Sequence, residues 1–143
     1  MPKPVVSKAS TVWNGDLFSG SGSTSLAGSG LGPFDVDWKA RAEEGAGSRT
    51  SPEELIASAH ATCFAMALSN GLAQNDTPPT RVDSSAEVSF VAGEGITGIA
   101  LTVRAEVENL SAEDFARLAE DAKANCPVSQ ALSVDIALDA SLA

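Results

Sequence analysis

Cys63 and Cys126 are the only thiols in this chain, and their surroundings differ. Cys63 lies in a run of mostly small residues, Ser58 to Met66, that reads as helix. Cys126 directly precedes Pro127, in Asn125-Cys126-Pro127-Val128-Ser129-Gln130. A thiol in mid-helix gains little from the helix dipole, which acts in the terminal turn. Set in an apolar wall it is inert, with a raised pKa. To become a nucleophile, Cys63 needs a cation beside it. The arginines are Arg41, Arg49, Arg81, Arg104 and Arg117, and His60, the sole histidine, stands one turn before Cys63. Arg41 is the best placed of these, because it ends a predicted strand and precedes the loop that feeds the helix of Cys63. Its guanidinium stays charged and holds a thiolate without giving its proton away. Cys126 stands where a short helix beginning at Pro127 would start, so the amides of Val128 and Ser129 favour its thiolate. Such a thiol attacks an oxidised sulfur or leaves readily from a disulfide. The pair therefore suggests a two-cysteine redox centre.

Other readings of the same residues exist. Free cysteine is among the most buried residue types, and a histidine on an apolar helix face is commonly a hydrogen-bonded core residue. His60, Cys63 and Cys126 could bind zinc, but they make only three ligands and no compact motif. Glu53 and Glu54 at a helix start suit capping and the dipole. The glycines between Gly20 and Gly30 lack the strand–GxGxxG–helix context of a phosphate loop.

The elements that must position the thiols are legible from local signals. Ser10 to Trp13 reads as a strand, Asn14-Gly15 as a tight hairpin turn, and Asp16-Leu17-Phe18 as the start of a return strand that Gly20 to Ser25 continues. Phe34 to Ala40 alternates with period 2, a half-buried strand with Arg41 at its end. Glu43 to Thr50 is a loop. Ser51, Pro52 and Glu54 form a helix-start signature, and the helix runs to about Ala73 with Leu55, Ile56, Ala59, Cys63 and Met66 near one face. Asp76 to Thr80 breaks the chain. Strands follow over about 82–92 and 97–107, joined at Gly93-Glu94-Gly95. Ser111 caps a second helix ending near Ala124, Pro127 to about Leu132 forms a short one, and Val134, Ile136 and Leu138 mark a last strand. The order β-β-β-α-β-β-α-β predicts an α+β fold with antiparallel sheets and a long central helix, as one domain over residues 1–143.

With 143 residues and 43% apolar content the chain can build a core without staples. A formal charge of −10 repels nucleic acid and anionic membrane surfaces, so neither is an expected partner. No stretch approaches the roughly 18 apolar residues of a membrane span. The first six residues have neither a long apolar run nor a cleavage pattern, so no signal peptide is expected. The expected compartment is the reducing cytoplasm, where a cysteine pair is more often catalytic, metal-binding or inert than a permanent cross-link.

Three segments taken together resemble a known family: Ser51-Pro52-Glu53-Glu54-Leu55-Ile56, Ala59-His60-Ala61-Thr62-Cys63-Phe64 and Asn125-Cys126-Pro127-Val128-Ser129-Gln130. They are similar to the signatures of the OsmC/Ohr peroxidases, the osmotically inducible and organic-hydroperoxide-resistance proteins. Trp13-Asn14-Gly15-Asp16-Leu17, Gly20-Ser21-Gly22, His60 and Val128-Ser129-Gln130 resemble the OsmC branch. The resemblance covers nearly the whole chain and implies an OsmC-like fold in an intertwined homodimer, with active sites between the subunits. It implies Cys63 as the peroxidatic cysteine, Cys126 as the resolving one, Glu53 as the residue orienting the catalytic arginine, and Arg41 as that arginine, with Arg49 in reserve. The implied reaction reduces organic hydroperoxides, or the smaller hydrogen peroxide, through a Cys63 sulfenic acid and a Cys63–Cys126 disulfide. A dithiol reductant would reopen the disulfide, with no metal or other cofactor, and the activity would protect against oxidative stress. Glu53 and Cys63 lie about 15 Å apart along one straight helix. If both serve one centre, Glu53 comes from the other subunit or the helix breaks. A non-enzymatic redox sensor or small-ligand module on the same fold, and a zinc protein, are the alternative readings.

Overall fold

The computed structural model describes residues 2–43 and 47–143, so the expected loop from Glu43 to Thr50 lies partly outside the described residues. Two compact units are present, Met1–Pro52 and Glu53–Ala143.

In the first unit, β1 (Ser10–Asn14), β2 (Ser21–Leu26) and β3 (Leu31–Val36) form an antiparallel sheet in the order β1-β2-β3. The connection after Asn14 is wider than the expected tight turn. Asp16 Oδ1 accepts from the amide of Ser19 at 2.7 Å and from its hydroxyl at 2.6 Å, and the Gly20 amide donates to the Asp16 carbonyl at 3.0 Å. This carboxylate-centred turn spans the residues expected to begin the return strand, which starts only at Ser21. A Cβ at Gly20 would fall 2.2 Å from the Asp16 carbonyl oxygen, so the turn requires glycine there. The strand expected from Phe34 to Ala40 also stops early, at Val36. Asp37 caps a short helix, α1 (Trp38–Ala42), by accepting from the Ala40 amide at 2.8 Å, and its other carboxylate oxygen takes the Arg49 guanidinium. Period-2 alternation was outweighed by a local cap, and Arg41 sits in a helical turn rather than at a strand end.

The second unit begins on α2 (Pro52–Gln74), close to the predicted bounds. β4 (Arg81–Val91) and β5 (Gly95–Glu106) form the expected hairpin, with a register shift at Ser89/Phe90. α3 (Ala112–Asn125) starts where Ser111 accepts from the Asp114 amide at 3.1 Å. α4 (Pro127–Ala131) follows, then β6 (Ile136–Leu142). The sheet order is β4-β5-β6. One pairing departs from the antiparallel expectation: β6 lies parallel to β5, from Ile99↔Ile136 to Ala105↔Leu142. The crossover through α3 and α4 returns the chain to the same end of the sheet, which forces the parallel sense.

The core gathers Phe64, Leu68 and Leu72 of α2, Ile99, Leu101 and Val103 of β5, Phe115 and Ala119 of α3, and Cys126. Each fully buried Leu or Phe contributes about 1.5–3 kcal/mol. The buried face of α2 is therefore His60-Phe64-Leu68-Leu72, at i, i+4 spacing, with Ile56 and Cys63 beside it. The expected face was rotated from this one: Ala59 is exposed and Met66 is 68% exposed. Alanines and serines surround α2, so apolar spacing could not single out one side. The same alanines make α2 long and apolar enough to cross a membrane by length and composition, at mean hydropathy 1.3, contrary to the expectation above. Phe64, Leu68 and Leu72 commit it to the core of this unit.

Candidate active site

α2 carries Cys63 one turn beyond His60, and the junction between α3 and α4 carries Cys126. Cys126 ends the first of those helices and opens the second. Its amide donates to Ala122 at 2.9 Å, and its carbonyl accepts from the Gln130 amide at 3.0 Å. Pro127 makes the two-helix junction possible, since it has no N–H to satisfy and suits a first helical turn. The structure sets the two thiols close enough to influence one another, with no disulfide between them. Cys126 is fully buried, whereas Cys63 keeps partial exposure. A small molecule from solvent can therefore reach Cys63 more readily than Cys126.

The electrostatics of the two thiols run in opposite directions. Burial pushes the Cys63 thiol up, as does its hydrogen bond with Cys126, and the Val128 amide offsets them only in part. Within the second unit no cation acts on it among the described residues. Burial also pushes Cys126 up, but the Ser129 amide, the contact with Cys63, the Ser129 hydroxyl and the Val128 amide together outweigh it, and the net shift is downward. The amides act as helix N-terminal dipoles, since the sulfur makes no full capping hydrogen bond. This is the environment expected of Cys126 from Pro127, Val128 and Ser129.

His60 is fully buried, and its Nε2 lies 2.7 Å from Ser129 Oγ. Burial lowers its pKa, which keeps the ring neutral at neutral pH. Its Nδ1 is buried and has no hydrogen-bond partner among the described residues. A proton on that nitrogen would leave a buried donor unpaired, at about 1–3 kcal/mol. A bare lone pair there is the lesser cost, so the ring proton belongs on Nε2 and is donated to Ser129 Oγ. Sequence reasoning placed His60 beside Cys63 but missed Ser129 as its partner. The available signal was positional: His60 precedes Cys63 by three residues, and Ser129 follows Cys126 by three.

Glu53 is buried in the first turn of α2. The helix between Glu53 and Cys63 is unbroken, so their ten-residue separation spans about 15 Å and they do not meet within one chain. Arg41 lies in the last turn of α1, and Arg49 pairs with Asp37, both in the first unit. No group of three or more His, Cys, Asp or Glu side chains among the described residues is gathered to hold a metal ion. Nε2 of His60 is turned to Ser129.

A model of the OsmC-like protein family matches residues 45–140. Peroxiredoxin OsmC of Escherichia coli is 40% identical over 140 residues, covering 94% of this chain and 95% of that protein. Organic hydroperoxide resistance protein OhrA of Bacillus subtilis is 33% identical over 94 residues, covering 63% of this chain and 66% of that protein. Among solved structures, an organic hydroperoxide resistance protein OsmC from Legionella pneumophila superposes with a TM-score of 0.71 at 25% identity, over 98% of this chain and 99% of that one. An OsmC-like protein from Mycoplasma pneumoniae shares the fold, with a TM-score of 0.73 at 14% identity, over 99% of each chain. Likeness extends along almost the whole sequence and through the fold, and this chain belongs to the OsmC-like protein family.

Proposed function

We propose that this chain is a thiol-dependent peroxidase that reduces organic hydroperoxides, or hydrogen peroxide, and so protects against oxidative stress. The observation that carries this reading is the meeting of two free thiols from distant segments, one partly exposed and one buried with a favoured thiolate. The names of the relatives agree with it. In the proposed cycle the Cys63 thiolate attacks the distal peroxide oxygen. The O–O bond breaks, and the alkoxide leaves and takes a proton to become the alcohol. Cys63 is then a sulfenic acid. The Cys126 thiolate attacks the Cys63 sulfur, hydroxide departs as water, and the disulfide closes. A dithiol reductant reopens it in two exchange steps and is itself oxidised.

Cys63 needs help for the first step, since its surroundings within the second unit favour the neutral thiol. Arg41, oriented by Glu53, fills that role in our reading. An intertwined homodimer supplies the missing geometry, because Glu53 is too far along its own helix to serve the same centre as Cys63. The apolar surface left uncovered on a single chain supports this assembly: Met66 on α2 and Phe18, 75% exposed, are examples. A reducing cytoplasm is the compartment in which a cysteine pair of this kind serves catalysis rather than cross-linking.

The test is rapid mixing of reduced protein with an alkyl hydroperoxide, then peptide mass spectrometry. A Cys63–Cys126 cross-link and continued turnover with a dithiol are expected. Oxidation that halts after one event despite reductant would instead indicate a sensor. Arg41→Met should slow the first oxidation on the order of 10²-fold, the loss typical of one charge-stabilising group. Arg49→Met should leave that step near the unmodified rate, because Asp37 engages Arg49. The reverse result would transfer the role to Arg49.

A further inference from the structure

The peroxidase reading uses Cys63, Cys126, Arg41 and Glu53, but it leaves unexplained a fully buried histidine hydrogen-bonded to a serine on another helix. The arrangement has a direction. Nδ1 of His60 has no acceptor among the described residues, so the ring proton sits on Nε2 and goes to Ser129 Oγ at 2.7 Å. Ser129 Oγ then has its acceptor side occupied by the imidazole, and its own proton turns to another acceptor. Ser129 is the third residue of α4, which Cys126 opens, so its side chain stands one helical turn from the Cys126 sulfur, where its hydroxyl favours the thiolate. The chain of donors thus runs from α2, through α4, to the resolving thiol.

We propose that His60 is a positioning residue for Cys126: by donating to Ser129 it fixes the serine hydroxyl as a donor to the Cys126 sulfur, and so sets the rate of disulfide closure rather than of peroxide reduction. The inference rests on the peroxidase reading for the step it names, though not for the geometry. In that step Cys126 enters as thiolate, the Cys63 sulfenic acid loses hydroxide, and a proton from solvent completes the water. The serine hydroxyl stabilises the thiolate and is not consumed. Ser129 also lines a shallow cavity with Lys123 of α3 and Asp135 before β6. Beyond the neutral His60 and Cys63, these are the charged groups to keep constant when its neighbourhood is altered.

Two variants and a rescue test this. His60→Leu and Ser129→Ala remove the donor chain, and His60→Gln keeps an N–H near the position of Nε2. In a Cys63→Ser background Cys126 is the sole thiol, and the chain contains no tyrosine, so ultraviolet thiolate absorbance follows Cys126 alone. The midpoint of that titration should rise with His60→Leu and with Ser129→Ala, and return towards its original value with His60→Gln. With Cys63 present, stopped-flow disulfide closure at neutral pH should slow about tenfold in both disrupting variants, while the first oxidation stays unchanged. The titration needs no peroxide, so it can fail independently of the peroxidase reading. Unchanged midpoint and closure rate in folded His60→Leu would overturn the proposal, as would a slowed first oxidation with an unchanged midpoint. If circular dichroism shows His60→Leu unfolded, Ser129→Ala and His60→Gln decide by the same criteria.

Discussion

Cys63→Ser protein is expected to remove hydroperoxide no faster than reductant and buffer alone. A serine hydroxyl ionises far above any working pH and cannot pass through a sulfenic acid, so the variant lacks both nucleophile and intermediate. The local electrostatics make this a sharp test, since within the second unit Cys126, not Cys63, is the thiol whose surroundings favour the thiolate. If thiolate fraction alone chose the reacting sulfur, Cys126 would react first and Cys63→Ser would retain activity. Exposure argues the other way: Cys126 is fully buried, and Cys63 is the sulfur a peroxide can approach. The measurement is hydroperoxide loss over time with a dithiol present. Sustained consumption by Cys63→Ser, abolished by further loss of Cys126, would exchange the roles of the two residues.

The second large effect is expected from Cys126→Ser. Supplied with a dithiol, this variant should fail to sustain turnover, because no neighbouring thiol can condense with the sulfenic acid to form the disulfide that the dithiol reopens. Continued peroxide then carries Cys63 to the sulfinic state, which ordinary thiols do not reverse. Mass spectrometry should find two added oxygens on the peptide bearing Cys63, where the unmodified protein forms the cross-link. A Cys126→Ser protein that keeps full turnover and a clean Cys63 would show that resolution does not pass through Cys126.

Local chemistry announced much of this architecture. Ser51-Pro52 and Ser111 mark helix starts within a residue or so of where α2 and α3 begin, because capping depends only on immediate neighbours. Pro127 announced the helix start that biases Cys126. Misreadings arose where two local signals competed or where the answer lay in tertiary structure. Asp16 and Asp37 each captured nearby amides and displaced predicted strand. Met66 was assigned to a buried face because α2 is apolar on every side. The parallel sense of β6 followed from where α3 and α4 deliver the chain, which the alternation of Ile136 and Leu138 cannot express. The contact of His60 with Ser129 joins residues 69 positions apart, so no window along the sequence could contain it.

The uninterrupted α2 acts as a ruler between Glu53 and Cys63. One inserted residue would lengthen that interval by about 1.5 Å and swing the thiol by about 100° around the axis, turning it away from Cys126. The turn joining β4 to β5, around Gly93, carries no such phase and can change length freely. Variation in chain length is therefore tolerated at the tip of the hairpin and forbidden across ten residues of helix.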